Sequence, residues 1–207
     1  MNVLDAWIRH TLKWEGGLNT DPGEPGGASN RGVSWELYQK KARDLLGHAP
    51  AQEKFMNIST SDAAKFMSYI WNTSGAWRLP DPVNGLLAEY SWLSGSSLAG
   101  KALQRILNAK FGQRLTIDGA VGSLTEAAVR QVNPQKLAAA MVEDRARFLD
   151  DLVQRRADKM KWRKGWANRE NALLNLLNIQ LSTAGGSIAW VALGVAAFLI
   201  MKGGKNG

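Results

Sequence analysis

Four side chains able to move a proton or steady a charge crowd one short stretch: Glu15, Asp21, Glu24 and Ser29 in WEGGLNTDPGEPGGASNRGVS (Trp14–Ser34). Cleaving a glycosidic bond needs a carboxylic acid that keeps its proton until it meets the leaving oxygen. A second polar group must then steady positive charge at the sugar carbon or activate water. Glu15 closes a segment of helical periodicity, where the negative end of the helix dipole disfavours an anion and so favours the protonated acid. Burial against Trp14 or Trp7 acts in the same direction. Among the nine tryptophans, some must be core, because each buries roughly 150–250 Å². Trp35, Trp71 and Trp77 are the candidates for stacking on a sugar face.

These groups need elements to hold them. Leu4, Trp7, Ile8 and Leu12 repeat at helical spacing, so residues 3–15 form an amphipathic helix that Gly16 and Gly17 end. Six glycines and two prolines between residues 16 and 34 predict turns or a short hairpin that folds back over the helix end. Ser34 opens a helix that Gly47 closes, and Ser59–Asp62 caps another. RLPDPVNG breaks the chain before a short apolar helix, GLLAEYSWLSG, whose composition predicts burial. From Ser96 the pattern is again helical, with a loop in QRLTIDGAVGS and a long amphipathic helix after Pro134 carrying Leu137, Met141, Phe148 and Leu152 on one face. No strong strand run and no internal repeat interrupts this, so the fold class is mainly α.

Composition narrows the function. The chain has 207 residues, no cysteine and only His10 and His48, which leaves too few ligands for a thiolate or histidine metal site. No metal or other cofactor is expected. Residues 1–95 carry 9 Lys/Arg against 10 Asp/Glu, whereas residues 96–207 carry 17 against 8, so the second half favours an anionic partner or presents a solvated basic face. RRADKMKWRKGWANR (Arg155–Arg169) interleaves that charge with Trp162 and Trp166, a composition suited to a membrane interface, a nucleic acid or an anionic wall polymer. The N-terminus has no secretory signal. Asn171–Met201 lacks any charge, and its part Ala184–Met201 would make a helix about 27 Å long, close to the hydrocarbon thickness. A C-terminal transmembrane helix ahead of Lys202 and Lys205 is therefore expected.

The motifs together resemble a known family. EGG, then DPGEPGGASNRGVS, SYIW and RLPDPVNGLLAEYSWLSG in order, resemble the glycoside hydrolase family 108 muramidases, which are phage endolysins and related bacterial proteins. LQRIL, IDGAVGSLTEAAV, RARFL and KGWANRENALL resemble the peptidoglycan-binding domain that usually follows. The resemblance spans about residues 3–175. It implies a lysozyme-like helical fold that cleaves the MurNAc–GlcNAc bond of peptidoglycan, with Glu15 matching the family's catalytic glutamate. Glu24 falls where the family usually has Asp, and Ser29 where it usually has Thr. Leu93 stands where an Asn is common.

The resulting expectations are a catalytic domain over 1–95, a helical peptidoglycan-binding-like domain over 96–182 and a transmembrane tail over 183–207. Glu15, Glu24 and Ser29 are the expected catalytic groups; Asp21, Trp71 and Trp77 are the expected substrate contacts. Expected partners are peptidoglycan and, through Ala184–Met201, a lipid membrane, that of a virion or of the host cell, with the catalytic domain facing the wall. No nucleic acid is expected. The competing readings are a catalytically weakened wall-binding or virion structural protein on the same scaffold, and a membrane-tethered nucleic-acid binder.

Overall fold

The computed structural model describes residues 2–20, 27–155, 160, 163–179 and 181. Asp21, Glu24 and the apolar run Ala184–Met201 lie outside the described residues. Among the described residues no helix is long and apolar enough to cross a membrane.

The first helix, α1 (Val3–Trp14), starts where the Asn2 side chain accepts the Leu4 N–H and stops at Glu15, whose backbone turns extended at φ −78° and ψ 132°. The glycine-rich stretch that follows forms a small antiparallel sheet, β1 (Leu18–Asn19), β2 (Ser29–Asn30) and β3 (Val33–Ser34), in that order. Arg31 and Gly32 connect β2 to β3 with φ values of +49° and +77°, the two positive angles of a tight hairpin turn that matches strand twist.

Helices then build the rest of the molecule. Ser34 caps α2 (Trp35–Leu46), which Gly47 ends in the left-handed conformation. A short α3 (Gln52–Met56), not anticipated from periodicity, precedes α4 (Thr60–Thr73), which opens on a reciprocal capping box between Ser59 and Asp62. A single 3-10 turn, Ala76–Arg78, leads into α5 (Val83–Ser94). Next come α6 (Ser96–Phe111), α7 (Ser123–Arg130), α8 (Pro134–Arg155) and α9 (Arg163–Leu176).

Helix α5 is the hub. Every residue from Val83 to Ser91 is buried, as befits a helix that is apolar all round. It packs against α1, α4, α6 and α8, while α9 packs against α1. One continuous core therefore joins Trp7, Trp71, Leu87, Leu103, Met141 and Leu173. A second, smaller core of Val33, Tyr38, Phe55 and Phe66 ties the sheet to α2, α3 and α4. Two charged side chains, Glu89 and Glu170, are nevertheless buried in this interior.

Candidate active site

The end of α1 delivers Glu15. Its backbone N–H still donates to the Thr11 carbonyl at 3.0 Å, so the residue is fixed to the helix while its extended conformation turns the chain away. Glu15 Oε1 accepts two hydrogen bonds at 2.9 Å, one from Trp92 Nε1 on α5 and one from Arg169 Nη1 on α9. The side chain is 16% exposed. Oε2 takes no hydrogen bond among the described residues and lies over the β2–β3 turn. A Cβ on Gly32 would sit 2.5 Å from Glu15 Cδ and 2.7 Å from Oε2. The turn thus needs glycine for its positive φ and again for the close approach of the carboxyl.

Behind Glu15 stands a second carboxylate. Arg169 Nε donates to Glu89 Oε1 at 2.6 Å, and Glu89 Oε2 accepts from Trp7 Nε1 at 2.8 Å and Thr11 Oγ1 at 2.9 Å. Burial alone would push the Glu89 carboxyl up. The charge and hydrogen bond of Arg169, with the donors of Trp7 and Thr11, outweigh it and hold the carboxyl below its ordinary value. Burial works against the Arg169 charge as well, but the two carboxylates outweigh it and hold the guanidinium above its usual range. His10, also buried, is lowered by burial first, with Arg169 and Lys13 adding to the effect and Glu89 opposing it.

The arrangement is thus a chain of charge from interior to surface: Glu89, Arg169, Glu15. Chemically it offers one carboxyl with one oxygen fixed by two donors and the other without a hydrogen bond among the described residues. Among the described residues no cluster of His, Cys, Asp and Glu has the make-up of a metal site.

The other expected site residues separate. Ser29 lies half-buried in β2, paired with Asn19 and Ser34 across the sheet that begins just beyond Glu15. Trp77 is 54% exposed, with the Arg78 guanidinium 4.3 Å from its ring centre. Trp71 is 7% exposed and packs on Trp7 with ring centres 6.1 Å apart. Trp35 is partly buried against Tyr38 and Phe55 of the smaller core. Trp7 donates its indole N–H to Glu89, and the indole that donates to Glu15 is that of Trp92. Asp21 and Glu24 lie outside the described residues.

Sequence reasoning assigned no role to Glu89, Trp92 or Arg169. A signal existed for Glu89, a lone charge inside the apolar helix GLLAEYSWLSG. A buried carboxylate demands a partner, and the partner lies 80 residues away in the chain.

Comparison with known proteins matches two stretches of the chain to family models in tandem. Residues 8–95 match the family described as Glycosyl hydrolase 108, and residues 98–171 the one described as Predicted Peptidoglycan domain. No curated protein matches the chain in sequence. Among solved structures, that of Brucella abortus SagA superposes with a TM-score of 0.67 over 88% of this chain and 98% of that chain, at 22% identity, which shows a shared fold.

Proposed function

We propose, for a chain that carries a glycosyl hydrolase 108 domain followed by a predicted peptidoglycan domain and is thereby a peptidoglycan hydrolase in general terms, that the bond cleaved is MurNAc–GlcNAc. In this reading Glu15 is the general acid. The observation that carries it is the asymmetry of the carboxyl: Oε1 is held by Trp92 and Arg169, while Oε2 has no hydrogen-bond partner among the described residues. A proton on Oε2 would pass to the glycosidic oxygen as the bond breaks, and Oε1 would keep its two donors throughout. Glu24 or Ser29, on the stretch that follows, would steady the positive charge at the sugar carbon or orient water.

Replacing the acid tests this directly. Glu15→Gln removes the proton while keeping size, and turnover of purified peptidoglycan should fall by about 10²–10⁴-fold. The wild-type products should carry a reducing MurNAc end. Undiminished digestion by Glu15→Gln would dismiss the assignment, and a reducing GlcNAc end would replace muramidase by glucosaminidase.

One observation favours the wall-binding alternative. Leu93, at the position where the resemblance expects an Asn, is 39% exposed, and an apolar side chain there offers no hydrogen bond to a sugar. Sedimentation with peptidoglycan without release of fragments would select that reading.

The same proposal places the enzyme at a membrane through the Ala184–Met201 run, in a virion or in the host cell, for entry or for lysis. Its support is the uncharged stretch from Asn171 to Met201. The full chain should partition with lipid vesicles and a chain ending at Thr183 should not; equal partitioning removes the anchor.

A further inference from the structure

The guanidinium at Glu15 comes from the far end of the chain. Arg169 is 154 residues from Glu15 and lies within the region matched to the predicted peptidoglycan domain, not the hydrolase region. Its side chain is 12% exposed. It does not simply neutralise one acid: Nε is committed to buried Glu89, and Nη1 to Glu15. Nη2 is buried with no partner among the described residues. A planar guanidinium holding two carboxylates by two different nitrogens cannot rotate freely. Glu89 is itself immobile, fixed by Trp7 and Thr11 on α1, the helix that ends in Glu15. The loop closes: α1 positions Glu89, Glu89 aims Arg169, and Arg169 meets the residue at the end of α1.

We infer that Arg169 is a positioning residue for Glu15, supplied by the second matched region, which holds Oε1 so that Oε2 alone faces the substrate. The inference rests on the reading of Glu15 as the acid. It gives the second region a part in the reaction besides any grip on the wall, because the hydrolase region by itself contains both carboxylates and no cation between them.

Each substitution acts through these contacts. Removing the Arg169 side chain takes one of two donors from Glu15 Oε1 and leaves Trp92 alone to hold it. Removing the Glu89 carboxylate frees Arg169 Nε, so that Nη1 is no longer aimed at Glu15.

The test is steady-state kinetics on soluble glycan-strand fragments, with full-length chains. Arg169→Met should lower kcat by about ten- to a hundredfold with KM within about twofold, as expected when an acid is misplaced and binding is not. Glu89→Gln should lower kcat by a smaller factor, again with KM little changed. Arg169→Lys, which keeps the charge without the second donor arm, should recover part of kcat.

A fall in kcat at unchanged KM, partly restored by Arg169→Lys, is not produced by a merely structural loss. An unchanged kcat in Arg169→Met overturns the inference, as does a rise in KM at unchanged kcat or an Arg169→Lys no better than Arg169→Met. Should Arg169→Met fail to fold, Arg169→Lys and Glu89→Gln carry the test, and wild-type kcat in both overturns the inference. An inactive Glu15→Gln beside fully active Arg169 and Glu89 variants refutes the role of Arg169 and leaves the acid standing; an active Glu15→Gln refutes the acid itself.

Discussion

Two consecutive residues of α5 meet two consecutive residues of α9, and the two contacts behave oppositely. Glu89 meets Arg169 and Tyr90 meets Glu170, each rung buried. On the first rung burial pushes the carboxyl up and a guanidinium with two further donors overrides it, so Glu89 stays below its ordinary value. On the second, burial pushes Glu170 up, and the Tyr90 hydroxyl donating at 2.7 Å does not reverse it. A carboxylate's charge in an interior is therefore set by the kind of partner, since depth is similar on both rungs. The charged rung continues outward to Glu15. The neutral-leaning rung ends beneath Arg145, whose guanidinium lies 5.4 Å from the Tyr90 ring centre and donates to Ser94 Oγ at 2.7 Å.

The comparison breaks most violently at Glu89. Glu89→Leu leaves Arg169 in the interior with only the partly exposed Glu15, and strands the donors of Trp7 and Thr11. Breaking a buried ion pair from one side costs about 3–5 kcal/mol, and urea unfolding should show a loss of that size. A loss below about 1 kcal/mol would mean that the rung is not the charged contact described.

A smaller effect is expected at the outer end of the same rung. Gly32→Ala meets both a φ of +77° and the Glu15 carboxyl 2.5 Å from the new methyl. Gly47→Ala shares the first problem, at φ +75°, with nothing within 4 Å of the added atom. Both should lose about 1–2 kcal/mol of stability by thermal or urea unfolding. Gly32→Ala alone should also cut peptidoglycan turnover by about tenfold or more, because Glu15 must shift. Equal activity in the two variants would show that the contact with Glu15 does not matter to the reaction.

What the sequence made legible was local, and what it hid was distant. The helix end at Glu15 follows from Gly16 and Gly17, the hairpin from glycine density, and the starts of α2 and α4 from Ser34 and the Ser59–Asp62 box. Each depends on neighbours within a few residues, where type and spacing carry the physics. The three residues that shape the site do not. Trp92 and Arg169 lie 77 and 154 residues from Glu15, and nothing about an indole or a guanidinium announces its partner. Arg169 ends the basic stretch Arg155–Arg169, whose composition suits a membrane interface, a nucleic acid or a wall polymer, yet it pairs with two carboxylates, one of them fully buried. Trp71 and Trp77 looked equivalent on paper; packing against Trp7 put one in the core and left the other exposed.

The smallest effect should come from the second rung, and its value lies in its sign. Glu170 is raised in the folded protein, by burial first. A raised carboxyl contributes stability that is fully present below the unfolded value, about 4.3, and is lost as pH rises through the folded value. Glu89 is lowered, so its contribution is present above the unfolded value and is lost as pH falls through the folded one. Glu170→Gln keeps an acceptor for the Tyr90 hydroxyl and removes only the titration. Wild type should therefore compare best with Glu170→Gln near about pH 4 and lose ground toward pH 7, by a few degrees of melting temperature at most for a chain of this size. Glu89→Gln should show the reverse trend, with wild type furthest ahead at neutral pH. Should the two differences run in the same direction with pH, the rungs would not differ in charge, and Arg169 would have no special claim on the carboxylate beside it.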